Sequence, residues 1–250
     1  MVARRALLAV AALLLLAPFG RAGELQPLRV AIGLSLPPYV IADEQRGMEY
    51  DIVREALADA GYELIPVFVD FGEVPGAIAA GTADAAMTVT PATIPDTPLS
   101  AVHIVYRNAA ITLASRDLRL ADLGALSGRS VLAFQKATDY LPPEFAAAVA
   151  GNPGYRETAE QYRQPLELFL GEVDVVVADI NIFNWFRNDP RVAAQADSTQ
   201  AITVHDLFPP TPYHVAFRDE AARDAFDAAL ARLRQSGRYD AIVSSYGGAG

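Results

Sequence analysis

Cysteine is absent from the 250-residue chain. That excludes a disulfide framework, a thiol nucleophile and any metal site built on thiolate. Lysine is almost absent as well, Lys136 being the sole one, and 20 Lys plus Arg stand against 30 Asp plus Glu. An acidic surface repels nucleic acid and anionic membrane, and no basic cluster interleaved with aromatics occurs, so nucleic acid is not an expected partner. The three histidines, His103, His205 and His214, form no i,i+3 or i,i+4 pair. A metal site is therefore not expected, nor is a cofactor. Nucleophile elbow, phosphate loop and His-Glu zinc motif are all missing, and no catalytic residue is expected.

Long hydrophobic runs are confined to one place. "MVARRALLAVAALLLLAPFGRAGE" opens with Arg4 and Arg5, continues through an apolar stretch from Ala6 to Ala17, and reaches the small-residue site Gly20-Arg21-Ala22. This pattern predicts a secretory signal peptide over residues 1–22, since the apolar stretch is short for a span and Pro18 ends it. Its removal would take Arg4, Arg5 and Arg21 with it and leave a still more acidic chain. With no cysteine to acylate, the expected product is a free periplasmic protein, and a monomer.

The full sequence is 52% hydrophobic, and the part after residue 22 reads as alternating strands and helices. "LRVAIGL" has the continuous apolar character of a buried strand. "GMEYDIVREALADAGY" puts Ile52, Val53, Ala56, Leu57 and Ala60 at helical spacing and ends at Gly61. "ELIPVFVDF" is a second strand, "VPGAIAAG" a short helix ending near Gly81, and "ADAAMTV" a third strand. After "NAAITLASR" the pattern restarts with a strand over Ser130 to Phe134, a helix around Tyr140 to Val149, and a helix over Gln164 to Phe169. The strand "VDVVVAD" and a helix at Ile182 to Phe186 follow, in which Phe183 and Trp185 are expected to pack. "EAARDAFDAALARLRQSGRYDAIVSSYG" closes the chain as two helices. The order predicts an α/β protein of two lobes with parallel strand pairing.

Several stretches, in this order and spacing, resemble the bacterial extracellular solute-binding proteins of family 3, the periplasmic receptors of polar amino-acid importers. They are "PPYVI" after the first strand, "GMEYDIVREAL", "GTADAAMTVTP", "LSGRSVLAFQKATDYL", "GEVDVVVADI" and "ALARLRQSGRYDAIVSSYG", which together cover nearly all of the chain after residue 22. The resemblance implies a type II periplasmic binding protein fold, two α/β lobes joined by two crossing hinge strands. Lobe 1 would be residues 25–112 plus 213–250 and lobe 2 residues 113–212, with "FPPTPY" as the returning hinge. It implies a small polar ligand held between the lobes and delivered to the membrane permease of an ABC importer. Two other roles remain open: sensing for a signalling partner, and a cyclohexadienyl-dehydratase-like enzyme on the same fold.

The same resemblance directs attention to particular residues. Relatives carry an Arg that forks onto the ligand α-carboxylate in the loop matching "TVTPAT", where this chain has Thr93, with Thr88 and Thr90 offering hydroxyls. An ordinary α-carboxylate therefore lacks its usual partner, unless Arg107 supplies the charge. Asp179 falls at the strand end where relatives bind the ligand amine; it could instead cap the following helix. Tyr39 matches an aromatic that stacks on ligand, or else packs near the hinge. In "FQKATDY", Thr138 and Asp139 stand where relatives use a Gly-Thr or Gly-Ser pair to hold a carboxylate, with Asp139 also a candidate cap. Glu49 is expected to touch the cleft, and Asp51 to act structurally where acids favour a helix start.

Overall fold

A computed structural model of the chain describes residues 24–34 and 36–246. The expected signal peptide lies outside them, as do residues 247–250. The first sheet holds strands β1 (Gln26–Gly33), β2 (Tyr62–Val69), β3 (Ala85–Val89), β4 (Ile104–Tyr106) and β10 (Thr211–Phe217), in the order β2-β1-β3-β10-β4. The second holds β5 (Asn108–Leu113), β6 (Val131–Phe134), β7 (Tyr155–Thr158), β8 (Val175–Asp179) and β9 (Ile202–His205), in the order β7-β6-β8-β5-β9. β1 pairs in parallel with β2 and β3, and β6 with β7 and β8, while β10, β5 and β9 join antiparallel. Each sheet is thus a parallel core completed by antiparallel strands that lead to or from the other lobe, β10 and β4 in the first and β5 and β9 in the second.

The helices are amphipathic where they cover a sheet. In α1 (Met48–Asp59) the expected stripe Ile52, Val53, Ala56 and Leu57 is buried. In α7 (Glu220–Gln235) Phe226, Ala229 and Leu230 are buried, Asp219 caps the start by accepting from Ala222 N, and Arg232 and Arg234 sit at the negative end. α7 and α8 (Arg238–Ser245) pack against α1, which returns the end of the described chain to the first lobe. The second lobe carries α2 (Ala137–Tyr140), α3 (Pro143–Val149), α4 (Arg163–Leu170), α5 (Ile180–Phe186) and α6 (Pro190–Ala193).

Two expectations need correction. The single helix around Tyr140 to Val149 is two helices, because Leu141 precedes Pro142 and takes an extended backbone before Pro143 opens α3. The helix ending near Gly81 is a 3-10 helix over Phe71–Gly76 followed by turns, with Pro75 inside it. The chain also changes sheet at Arg107, between β4 and β5, and again between β9 and β10, where Pro209 and Pro210 stand. Residues 108–112 therefore pair in the second sheet and Thr211 and Pro212 in the first. The two crossings are tied by a buried hydrogen bond from Asn108 Nδ2 to Thr211 Oγ1 of 3.1 Å.

Candidate functional site: a seam of aromatics and two buried acids

The local geometry begins at Gly47. Its φ is +140°, and a Cβ there would lie 2.2 Å from the carbonyl oxygen of Tyr39, so only glycine fits. This close approach lets Met48 N donate to Pro38 O and Glu49 N donate to Tyr39 O. The start of α1 is pressed onto the loop after β1, and Tyr39 and Glu49 become neighbours. Asp51 faces away and accepts from Tyr246 Oη at 2.7 Å, joining α1 to the end of α8.

Glu49 is wholly buried. Its Oε1 accepts from Thr88 Oγ1 at 2.8 Å and lies 2.7 Å from His103 Nε2, and its Oε2 accepts from Tyr106 Oη at 2.5 Å. Three side chains from β3, the approach to β4 and β4 itself thus converge on one acid. Thr88 reaches it from a left-handed backbone, φ +62°, which is strained for a β-branched residue. His103 Nδ1 is buried without a hydrogen-bond partner.

Asp179 closes the second lobe's half of the site. Its Oδ1 accepts from Asn181 N at 2.8 Å and Ile182 N at 3.1 Å, capping α5, and its Oδ2 accepts from Arg107 N at 2.8 Å. The fourth donor crosses between lobes: Tyr39 Oη lies 3.2 Å from Oδ2, and Asn181 Nδ2 donates to the same hydroxyl at 2.9 Å. Capping and facing the cleft are therefore not alternatives here, because the two oxygens divide the tasks. Burial pushes the Asp179 carboxyl up from its ordinary 3.8 to about 6, although the backbone N–H groups of Ile182, Arg107 and Asn181 pull the other way.

Between the two acids Tyr39 and Tyr106 stack with ring centroids 3.7 Å apart. Tyr213 meets Tyr106 edge-on, and Phe71 of the first lobe stacks on Tyr140 of the second. Full burial of each such ring contributes about 1.5–3 kcal/mol. Gly72 N adds a second bond across the seam, donating to Gln135 Oε1 at 2.8 Å. In this closed arrangement the rings leave a cavity of about 10 Å³, lined by Phe71, Tyr106, Phe134, Gln161, Asp179 and Tyr213 among others. That is the room of one water-sized sphere, so a larger solute enters only when the lobes part.

Of the residues expected at the site, Tyr39, Glu49, Thr88 and Asp179 come together in or beside this seam, and Thr90 and Asp139 line a neighbouring groove together with Tyr140. Thr93, Arg107 and Thr138 do not line the cavity. Thr93 turns back on its own loop, its Oγ1 accepting from Thr90 N at 3.0 Å while Thr93 N approaches Thr90 O, and Thr90 is held in the same turn. Arg107 sits in a strand-to-strand crossing where alternate residues face opposite ways. Tyr106 and Asn108 are buried, so its side chain is exposed and only its backbone N–H reaches the site. Thr138 faces Glu157 and not the cavity, and Asp139 is exposed beside Lys136. Trp185, expected to pack, is 42% exposed, whereas Phe183 is buried.

Sequence reading missed His103, Tyr106, Tyr213, Phe71 and Phe134. The alternation in "HIVYRN" could have placed Tyr106 inward and Arg107 outward. No local signal joins His103 to Glu49, since the sheet alone brings them together. Among the described residues no group of His, Cys, Asp and Glu is arranged to hold a metal ion, and no helix is long and apolar enough to cross a membrane.

Two open α/β sheets, joined by two crossings and meeting at a polar-edged aromatic seam, define a hinged binding protein. The chain belongs to the bacterial extracellular solute-binding proteins, family 3, whose profile matches residues 28–249. A comparison with curated proteins finds no match. Among solved structures, the chain is similar to an ancestral arginine-binding protein bound to glutamine, at 21% identity over 89% of this chain and 98% of that one, with a TM-score of 0.72. An amino acid ABC transporter substrate-binding protein from Streptococcus pneumoniae, bound to L-arginine, shares 19% identity over 88% and 94%, with a TM-score of 0.68. A histidine kinase sensor domain similar to periplasmic binding proteins shares 18% over 89% and 96%, with a TM-score of 0.74. At these identities the likeness is one of fold.

Proposed function

We propose that the protein is exported to the periplasm, with residues 1–22 removed, and captures a small polar solute between its lobes for delivery to the permease of an ABC importer. The observation that carries this reading is the seam itself. Tyr39 of the first lobe bonds to Asp179 and Asn181 of the second, so closure is registered by side chains that also face the cleft. Amino acids and related amines are the solutes to try first, given what the structural relatives bind. The role is binding and not conversion.

The native reporter for a test is Trp185, the only tryptophan, which shares a surface groove with Pro38 and Tyr246 of the first lobe. A solute that closes the lobes should change its fluorescence and raise the melting temperature, since binding to the folded form alone stabilises it. Mass spectrometry should recover that solute unchanged, and its uptake by cells should depend on the protein. The sensor-domain relative favours a second reading, in which the closed form acts on a signalling partner. Ligand-dependent closure with unaltered uptake in a deletion strain would select it. A screen of amino acids, amines, sugars and organic acids with no solute bound would end both.

A further inference from the structure

The ring that the second lobe sends across the seam is Tyr140, the last residue of α2. It stacks on Phe71 of the first lobe with centroids 4.6 Å apart. It also meets Phe134 edge-on at 6.5 Å and Tyr213 at a tilt at 6.1 Å. Phe71, Phe134 and Tyr213 all line the cavity of about 10 Å³, so Tyr140 is packed against three of its walls. The same residue lines an open groove of about 340 Å³, to which the first lobe, the second lobe and the returning crossing all contribute. One ring thus joins the filled centre of the seam to an open groove.

Tyr140 suits this place as a ring but not as a phenol. It is buried, and its Oη has no hydrogen-bond partner. The Thr93 hydroxyl is near enough to counter part of the upward push of burial on the phenol, but not within hydrogen-bond reach. A buried hydroxyl left unpaired raises the energy of this arrangement. The groove offers the ring another position. Pro91, Pro142, Pro143, Pro209, Pro210 and Pro212 line it, so a ring turned that way keeps an apolar wall while its hydroxyl reaches water. A solute entering between the lobes must take the place of Tyr140 on Phe71. The solute that recovers most of the lost stacking is one with a flat ring of the same size.

We propose that the protein captures solutes carrying one aromatic ring, and that capture is an exchange in which the solute's ring takes the Phe71 face while Tyr140 swings into the proline-lined groove. Tyr140 is then a resident competitor that sets which solutes bind. This rests on the solute-capture reading and names its ligand class by the ring. The discriminating probes are pairs alike in size and polar end, in which the ring is either aromatic or saturated. They are L-phenylalanine and L-cyclohexylalanine, benzylamine and cyclohexylmethylamine, and benzoate and cyclohexanecarboxylate, so that the three pairs also read out the charge of the polar end.

In titration calorimetry on the purified chain, at least one aromatic probe should bind, and tighter than its saturated counterpart by about fivefold or more. Tyr140→Ala removes the competitor and should tighten that aromatic probe by about fivefold or more. Tyr140→Phe keeps the ring, sheds the unpaired hydroxyl and should weaken the probe by about threefold or more, with a melting temperature no lower than that of the wild type. A ring that merely walled the site would give the opposite sign in Tyr140→Ala, because its contact with the solute would be lost. Thermal unfolding of each variant establishes that it is folded, and if Tyr140→Ala is not, Tyr140→Phe decides. An aromatic probe that Tyr140→Ala leaves unmoved or weakens, or that Tyr140→Phe leaves unmoved or tightens, overturns the proposal. So does a saturated probe binding as tightly as its aromatic counterpart, or binding of none of the aromatic probes. If a sugar or an aliphatic amino acid closes the lobes while no aromatic probe does, the ligand class falls and solute capture stands; if no solute closes them, both fall.

Discussion

Glu49 and Asp179 are both buried acids at the same seam, one from each lobe, and they are held by opposite means. Glu49 is caged by side chains alone, those of Thr88, His103 and Tyr106, all from its own lobe. Asp179 is held by three backbone N–H groups and one side chain, and that side chain comes from the other lobe. A side-chain cage is complete before the lobes meet, so Glu49 belongs to the scaffold of the first lobe. A backbone cage with one borrowed donor changes when the lobes move. Asp179 is therefore the acid that senses closure, and the contrast can be tested one residue at a time.

The largest effect is expected on the caged acid. Glu49→Ala strips the acceptor from three buried donors, each costing about 1–3 kcal/mol when left unpaired. A total loss of about 3–5 kcal/mol should appear in urea unfolding, with a lowered midpoint. A loss under 1 kcal/mol would mean that the cage opens to water and that Glu49 is not scaffold. Next comes Gly47→Ala, which forces a side chain into the Tyr39 carbonyl at a φ that L-residues avoid. Overpacking and backbone strain each cost about 1–3 kcal/mol, so roughly 2–4 kcal/mol should be lost. Solute affinity should fall with it, because Tyr39 is displaced.

The contrast also explains what could be read from the sequence. The place of Asp179 was legible because it is local, an acid ending an apolar strand and opening a helix, and its cap on that helix follows from that place. Glu49 was legible only as an acid at a helix start. Its partners lie far along the chain, at Thr88, His103 and Tyr106, and only the sheet order β1-β3-β10-β4 brings them together. The two-lobe α/β plan was readable from strand and helix periodicity, because the sheet cores are built from continuous apolar runs. The crossing at Arg107 was harder. The strand run "HIVYRNAAITL" has no break in composition, and the change of sheet is made by backbone geometry at a single residue. The directions of Thr93 and Thr138 were not readable for a related reason: a hydroxyl in the expected loop says nothing about where it points.

Asp179 should also make closure depend on pH. In the closed seam its carboxyl is pushed up to about 6, while in an open cleft it would return toward 3.8. Between these values the closed form holds a proton that the open form releases, so closing takes up a proton. The closing equilibrium should weaken by up to about tenfold per pH unit as pH rises from about 4 to 6, then level off. Trp185 fluorescence, followed without added solute, would report this, and Asp179→Asn should flatten the curve. A pH dependence surviving in that variant would move the proton to another group and undo the contrast with Glu49.

The smallest effect belongs to the borrowed donor. Tyr39→Phe keeps the ring and its stacking on Tyr106, removing only the hydroxyl that bonds Asp179 and accepts from Asn181. A hydrogen bond of this kind contributes about 0.5–1.5 kcal/mol, and here it exists only when the lobes meet. Global unfolding should therefore shift by less than about 0.5 kcal/mol if the open form dominates in the absence of solute. The cost should appear instead in ligand affinity, a weakening of about two- to tenfold, because closure is what binding must bring about. The hydroxyl of Tyr106 supplies the matching control, since its partner is Glu49 within one lobe. Tyr106→Phe should lower the unfolding midpoint and leave the closing equilibrium nearly unchanged. If the two phenylalanine variants behaved alike, the hydroxyl of Tyr39 would be part of a fixed core, and Asp179 would be no more a closure sensor than Glu49 is.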